Sequence, residues 1–280
     1  MENPSGRALP CPPRLARLYG CLRTAVPRRR AHVISNFVTS LDGVVSLQER
    51  GHDGGSDISG HDLQDRMVMG LLRAVCDVVL IGAGTLQADP DHFWTPEDVC
   101  PELADDYGRL RRSLGKPRAP LLVVVTGSGE IDLSLPVFSS NLVRTLILTT
   151  HAGMRRLVER TVPKLHQVQA LGGRRSAIKP ALILKAIQQL GLGNQILLEG
   201  GPRLLGDFYA ARLVDEQFLT LSPQVLGRMH DDQRLSLVMG QGFAPGHGRW
   251  ADLTDVRQGK NLLFLRYRFA TGGRKTHRSG

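Results

Sequence analysis

Two stretches of the chain join an apolar run to glycines in a way that could cradle phosphate. Residues 78–85 read VVLIGAGT and residues 197–209 read LLEGGPRLLGDFY. Glycine lets the chain turn with positive φ and lets a ligand approach the backbone. The first turn of a following helix offers unpaired N–H groups and the positive end of its dipole to an anion. Two such turns would suit a dinucleotide. Neither has the spacing G-x-G-x-x-G, and strand-to-helix turns also use glycine only to bend, so both readings stay open on the local pattern.

Other chemistries find little support. There is no G-x-S-x-G elbow, no S-x-x-K and no Walker lysine after either glycine turn. The nine histidines are scattered, and His32, His166 and His230 read as structural or solvated. Cys11, Cys21, Cys76 and Cys100 form no C-x-x-C and have no paired histidine spacing, so neither a metal site nor a disulfide framework is expected, and a reducing cytoplasm fits. Hydride transfer remains open, because there the cofactor does the hard chemistry and the protein orients it.

The net charge of +10 raises nucleic-acid binding as a reading. It sits almost wholly at the ends: seven arginines against Glu2 in residues 1–30, and Arg274, Lys275 and Arg278 without an acid in residues 271–280. The body is nearly neutral, so nucleic acid is expected only in weak contacts of the two tails. Residues 1–30 lack the apolar core of a secretory signal and read as a solvated, disordered extension, although an Arg-rich start also fits a transit peptide. No apolar run reaches the ~20 residues of a membrane helix.

The elements that must position the glycine turns alternate. Residues 32–47 read as two strands joined by a tight hairpin at Asp42-Gly43. Ser59 is placed as the N-cap of a helix with Asp62 in capping-box position, and Leu63, Met67, Leu71 and Val75 as its buried face. Asp62, Arg66 and Arg73 fall off that stripe and read as a solvated face, with ligand contact as the alternative. Strands follow at 77–81, 121–125, 143–149, 165–170, 195–198 and 216–221, helices at 152–160, 180–190 and after Gly201, and a last strand at 261–269. Residues 91–119 break this rhythm as an insertion, a candidate lid. An α/β domain from about 31 to 270 results, with a mostly parallel central sheet, antiparallel edge strands and flanking helices.

Four separated motifs carry a resemblance over nearly the whole body: Thr39-Ser40-Leu41-Asp42-Gly43, Leu72-Arg73-Ala74, residues 82–90 (GAGTLQADP), and Glu199-Gly200-Gly201-Pro202 with Leu213-Val214-Asp215-Glu216. The chain resembles the reductase domain of the bifunctional riboflavin-biosynthesis deaminase-reductase. That resemblance implies a dihydrofolate-reductase-like fold, NADPH as hydride donor, a pyrimidine ribosylamine phosphate as the family's substrate, and a homodimer, here expected through the terminal strands. It places Thr39, Gly82, Thr85 and Asp89 on the cofactor, with Gly200, Gly201, Pro202, Arg203, Leu204 and Gly206 in the pyrophosphate turn. Thr149 or Thr150 falls at the adenosine ribose and its 2′-phosphate, beside Arg155 and Arg156. Asp42, Arg73 and Glu199 fall on the substrate side, and Glu199 and Ser56 are the candidate catalytic residues.

The chain also departs from the family. It has no H-x-E and no P-C-x-x-C, so zinc deamination is not expected. Where the family continues its Asp-Pro segment with L-T-x-R, this chain reads Asp91-His92-Phe93-Trp94-Thr95-Pro96, and the arginine that helps to bind substrate phosphate is missing from its place. The aromatic segment suggests a flat, uncharged ring such as a pteridine in place of the phosphorylated pyrimidine. A non-catalytic NADPH-binding protein is the alternative reading.

Overall fold

The computed structural model of this chain describes residues 6–20, 22–24, 30–49, 51–52, 54–158, 166–172, 178–230 and 233–270. Its strands are β1 (Arg7–Ala8), β2 (Arg23–Thr24), β3 (His32–Thr39), β4 (Val44–Ser46), β5 (Val78–Gly82), β6 (Leu121–Thr126), β7 (Thr145–Thr149), β8 (His166–Ala170), β9 (Gln195–Leu198), β10 (Glu216–Leu221), β11 (Leu235–Ser236), β12 (Ala251–Gln258) and β13 (Leu263–Phe269). The α-helices are α1 (Pro13–Tyr19), α2 (Gly55–Ser59), α3 (Leu63–Val75), α4 (Ala83–Ala88), α5 (Pro96–Val99), α6 (Ala104–Ser113), α7 (Pro136–Ser139), α8 (His151–Val158), α9 (Pro180–Gln189) and α10 (Pro202–Ala210).

The central sheet has nine strands in the order β12-β13-β10-β3-β9-β5-β6-β7-β8. From β10 to β8 every pairing is parallel, and β13 runs antiparallel to both β10 and β12. Parallel strands are covered on both faces, which is why β5 is a continuous apolar run. Its Val79 and Ile81 join the core under α1, α3 and α6, while Val78 and Leu80 join the core under α9 and α10. In such sheets ligands lie beyond the carboxyl ends of the strands, where the strand order reverses. Here β9 lies between β3 and β5.

Several local expectations are corrected. The Asp42-Gly43 turn is present, with Gly43 N donating to Ser40 O, but β4 leaves the central sheet and pairs with β11, so no hairpin ladder forms. The N-cap of α3 is Asp62, which accepts from the Gln64 and Asp65 amides, and Ser59 instead ends α2. Met67, Leu71 and Val75 are buried as expected, but Leu63 in the first turn is exposed. In α9 the buried residues are Pro180, Ile183, Leu184, Ala186 and Ile187, with Leu182 and, just past the helix, Leu190 only partly covered.

Two larger corrections concern the chain ends. Residues 7–20 and 22–24, expected as part of an undocked extension, lie on the body, with Leu15, Tyr19 and Leu22 inside the α3-side core. Leu15 and Tyr19, four apart, lie on one face of α1, and Leu22 follows the Gly20 that ends the helix. Strand β13, expected at an open edge, is flanked on both sides, and the edge strand is β12, whose mixed residues Ala251–Gln258 gave no strand pattern. Arg266 of β13 is buried: it donates to Glu216 Oε2 at 2.6 Å and lies over the Phe218 ring.

Residues 96–113 pack against α3, with Leu103, Tyr107 and Leu110 buried. The Arg111 guanidinium, which is 1 % exposed, donates to the carbonyls of Arg73, Ala74 and Cys76 and so caps the end of α3.

Candidate active site

A cavity of about 900 Å³ opens at the carboxyl ends of β5, β6 and β9. That volume lies at the upper end of ligand pockets, ~300–1,000 Å³. One arm is built by the two glycine turns, which face each other. Gly201 precedes α10 with φ 75°, which only glycine adopts readily, and a side chain there would meet nothing closer than 3.8 Å, so its surroundings are open to a ligand. Gly200 serves packing instead: a Cβ at that position would lie 2.6 Å from Thr85 Oγ1. Gly82, Thr85, Gly201, Pro202, Arg203 and Leu204 all line the cavity, together with Thr126, Gly127 and Ser128 after β6. The exposed N-terminus of α10 and these backbone amides fit the pyrophosphate of a dinucleotide.

The other arm carries charge. Arg73 of α3 and Glu199 after β9 form a buried ion pair, Nε to Oε2 at 2.8 Å, with side chains 3 % and 5 % exposed. The expectation of a solvated Arg73 is thereby corrected, because α3 turns this position toward the end of β9. Arg73 Nη1 also donates to His92 Nε2 at 2.6 Å and to Thr95 O at 3.2 Å, and His92 Nδ1 lies 2.8 Å from Asp98 Oδ2. Glu199 Oε1 is buried without a hydrogen-bond partner. Ser56, Asp89, His92, Trp94 and Asp98 share this wall. Phe93 packs on the core away from the cavity and Trp94 is itself a buried core residue with an edge on the wall, so the segment does not present three stacking rings.

Asp65 is a wall residue that sequence reasoning missed, and Arg66 is one that it read as solvated, with ligand contact as the alternative. Asp65 is buried, and desolvation pushes its carboxyl up to about 6 against the lowering bonds from Thr220 and Ser59. Arg66 donates through Nε to Val99 O at 2.7 Å and lines the same wall. Both sit on the side of α3 that an amphipathic reading assigns to solvent. Only the bonds to Asp65 from Ser59 of α2 and Thr220 of β10, and the packing of α5 on α3 beside Arg66, reveal them.

Other expected residues fall away from the cavity wall. Thr39 donates to the Ser40 and Val44 carbonyls. Asp42 accepts from Ser40 Oγ and from the Leu226 and Gly227 amides, bonds that hold its carboxyl down at about 2 and tie the turn to a distant loop. Thr149 is fully buried with Oγ1 unpartnered, and Thr150 caps α8 by accepting from the Gly153 amide while donating to Gly127 O. Gly206 faces the chain at 238–241, where a Cβ would lie 2.6 Å from Met239 O.

Comparison with known proteins shows the family and the fold. The RibD C-terminal domain family matches residues 31–244. A relative from Archaeoglobus fulgidus named 2,5-diamino-6-ribosylamino-4(3H)-pyrimidinone 5′-phosphate reductase is 26% identical over 71% of this chain and 83% of its own length. One of the same name from Methanothermobacter thermautotrophicus is 27% identical over 76% and 86%. The crystal structure of a pyrimidine reductase-like protein from Corynebacterium diphtheriae shares the fold, with TM-score 0.68 at 20% identity over 92% of this chain and 99% of that one. The dihydrofolate-reductase-like α/β architecture expected from the resemblance is therefore borne out, and with more than half of its length matched the chain belongs to the RibD C-terminal domain family.

Proposed function

We propose that this chain is an NADPH-dependent reductase that transfers hydride to a pyrimidine- or pteridine-like ring compound. One observation carries the reading: a single cavity joins the two facing glycine turns to the buried Arg73–Glu199 pair. NADPH, when bound, supplies the hydride. Gly201 to Leu204 and the α10 N-terminus hold its pyrophosphate, with Gly82, Thr85 and Asp89 alongside. Ser128, to whose carbonyl Arg156 donates, marks the end for the 2′-phosphate, which favours NADPH over NADH.

At the other arm Glu199 and Ser56 orient the acceptor ring, and the walls of α3 and residues 92–99 exclude water. The names of the archaeal relatives favour a phosphorylated aminopyrimidinone, and the absence of arginine between Pro90 and Pro96 favours an uncharged ring. Steady-state NADPH oxidation with both compound classes tests the proposal. A kcat/KM for the phosphorylated pyrimidine well above that for any pteridine assigns it to riboflavin biosynthesis. NADPH binding without turnover on either class would favour the non-catalytic alternative, which the altered residues 91–96 support. We further propose a homodimer, formed at the β12 edge where Trp250, Leu253 and Val256 are exposed, to be checked by sedimentation at micromolar concentration.

No helix among the described residues is long and apolar enough to cross a membrane.

A further inference from the structure

The free oxygen of Glu199 is the most demanding atom in the cavity. A buried carboxylate oxygen without a donor is costly, and a ligand N–H is the natural way to satisfy it. Which ligand can do so depends on how Glu199 is turned, and its orientation is fixed through Oε2 by Arg73.

Arg73 is in turn fixed by residues 92–98. Arginine only donates, so His92 Nε2, 2.6 Å from Arg73 Nη1, must accept. The ring proton then sits on Nδ1 and is donated to Asp98 Oδ2 at 2.8 Å, with Asp89 Oδ2 also 3.7 Å from Nδ1. Asp98 accepts from the Phe93 amide at 2.8 Å as well. Although burial works to raise it, the bonds from His92 and Phe93 and the nearby charges hold the Asp98 carboxyl below the usual range. The Trp94 ring stands edge-on to His92 at 5.0 Å and limits its swing. The chain Asp98–His92–Arg73–Glu199 is continuous from helix α5 to the unsatisfied oxygen.

We propose that His92 and Asp98 are positioning residues that, through Arg73, set the direction of Glu199 Oε1 and so select a heterocycle presenting an N–H or amino donor to it. This rests on reading the Arg73–Glu199 arm as the substrate end. The acceptor class is an amino-substituted pyrimidinone ring. An aromatic ring without N–H donors would leave Oε1 unsatisfied.

The test uses the full chain with NADPH present, in wild type, His92→Ala, His92→Gln and Asp98→Asn, with two readouts. One is steady-state turnover. The other is calorimetric binding of 2,5,6-triamino-4-pyrimidinone as a probe, with melting temperature and NADPH affinity as controls. His92→Ala should weaken the probe at least tenfold and lower kcat at least tenfold, while NADPH affinity stays within twofold. His92→Gln should restore most of both, because its amide can accept from Arg73 and donate to Asp98 as the imidazole does. If His92→Ala unfolds, Asp98→Asn carries the comparison, with a smaller loss of the same kind. Turnover and probe binding within twofold of wild type in His92→Ala, or a loss that His92→Gln does not relieve, would overturn the positioning role while leaving the reductase reading intact. Probe binding with the expected losses but no turnover in wild type would overturn the reductase reading alone. A wild type that neither binds the probe nor turns over would overturn both.

Discussion

Arg73 and Glu199, 126 residues apart in sequence, meet at 2.8 Å in a setting where both side chains are almost fully buried. A pair this far out of water is sensitive to the loss of one partner, because the remaining charge is left uncompensated, whereas replacing both by apolar groups of similar size is tolerated. Arg73→Met alone should therefore cost about 3–5 kcal/mol of stability, and the double variant Arg73→Met/Glu199→Leu should recover most of it. Urea unfolding of wild type and both variants checks this. Equal losses in the single and double variants would show that the pair is not the source of the effect.

Two glycines, Gly201 before α10 and Gly206 within it, should separate binding from folding. Gly201 has open space around it, so Gly201→Val strains the left-handed backbone by about 1–3 kcal/mol and blocks close approach to the helix N-terminus. NADPH affinity should fall by tenfold or more with the fold retained. At Gly206 a valine would instead collide with the Met239 carbonyl, and the loss should appear in melting temperature first. A fluorescence titration and a thermal melt on both variants decide. Normal NADPH binding by Gly201→Val would mean that the turn is only a bend.

The N-terminal segment contributes to the core. Leu15 is fully buried, so Leu15→Ala should cost about 2–5 kcal/mol, and removal of residues 1–24 should lower the melting temperature markedly. An unchanged melt after truncation would contradict the packing of Leu15, Tyr19 and Leu22.

Asp65 gives stability a pH dependence of defined sign. Burial raises its carboxyl from 3.8 to about 6, so the folded chain holds this proton more tightly than the unfolded chain does. The contribution is fully present below about pH 4 and is lost as pH rises through about 6, on the order of 1–3 kcal/mol. Asp65→Asn should therefore be more stable than wild type at pH 8, with the difference shrinking toward pH 4. Urea midpoints at both values measure it, and a constant difference would assign the effect to lost hydrogen bonds instead.

Arg156 donates to Ser128 O at 3.2 Å and pairs with the exposed Glu130. Arg156→Ala should weaken NADPH tenfold or more and leave NADH within twofold, as expected if its guanidinium meets the 2′-phosphate. Equal effects on the two nucleotides in parallel titrations would place the phosphate elsewhere.

The sequence by itself determined the alternation of strands and helices and the two glycine turns, because buried parallel strands must be apolar throughout and Gly201 must accept a positive φ. These are local demands, and they are written in consecutive residues. Which side chains face each other was decided only by the tertiary structure. Arg73 reads as solvated on its own helix until β9 brings Glu199 against it, Arg66 reads likewise until α5 packs on α3, and Asp65 finds its partners Ser59 and Thr220 on α2 and β10. Thr149 and Thr150 end a strand at the expected place, yet one is sealed in the core and the other is committed to capping α8. Gly200 and Gly206 look like ligand glycines, but the contacts that require them come from Thr85 and Met239, which lie far away in the chain. Spacing along the chain carries the period of an element, whereas the partners of a side chain depend on how the elements cross. The active-site pairings belong to the second kind.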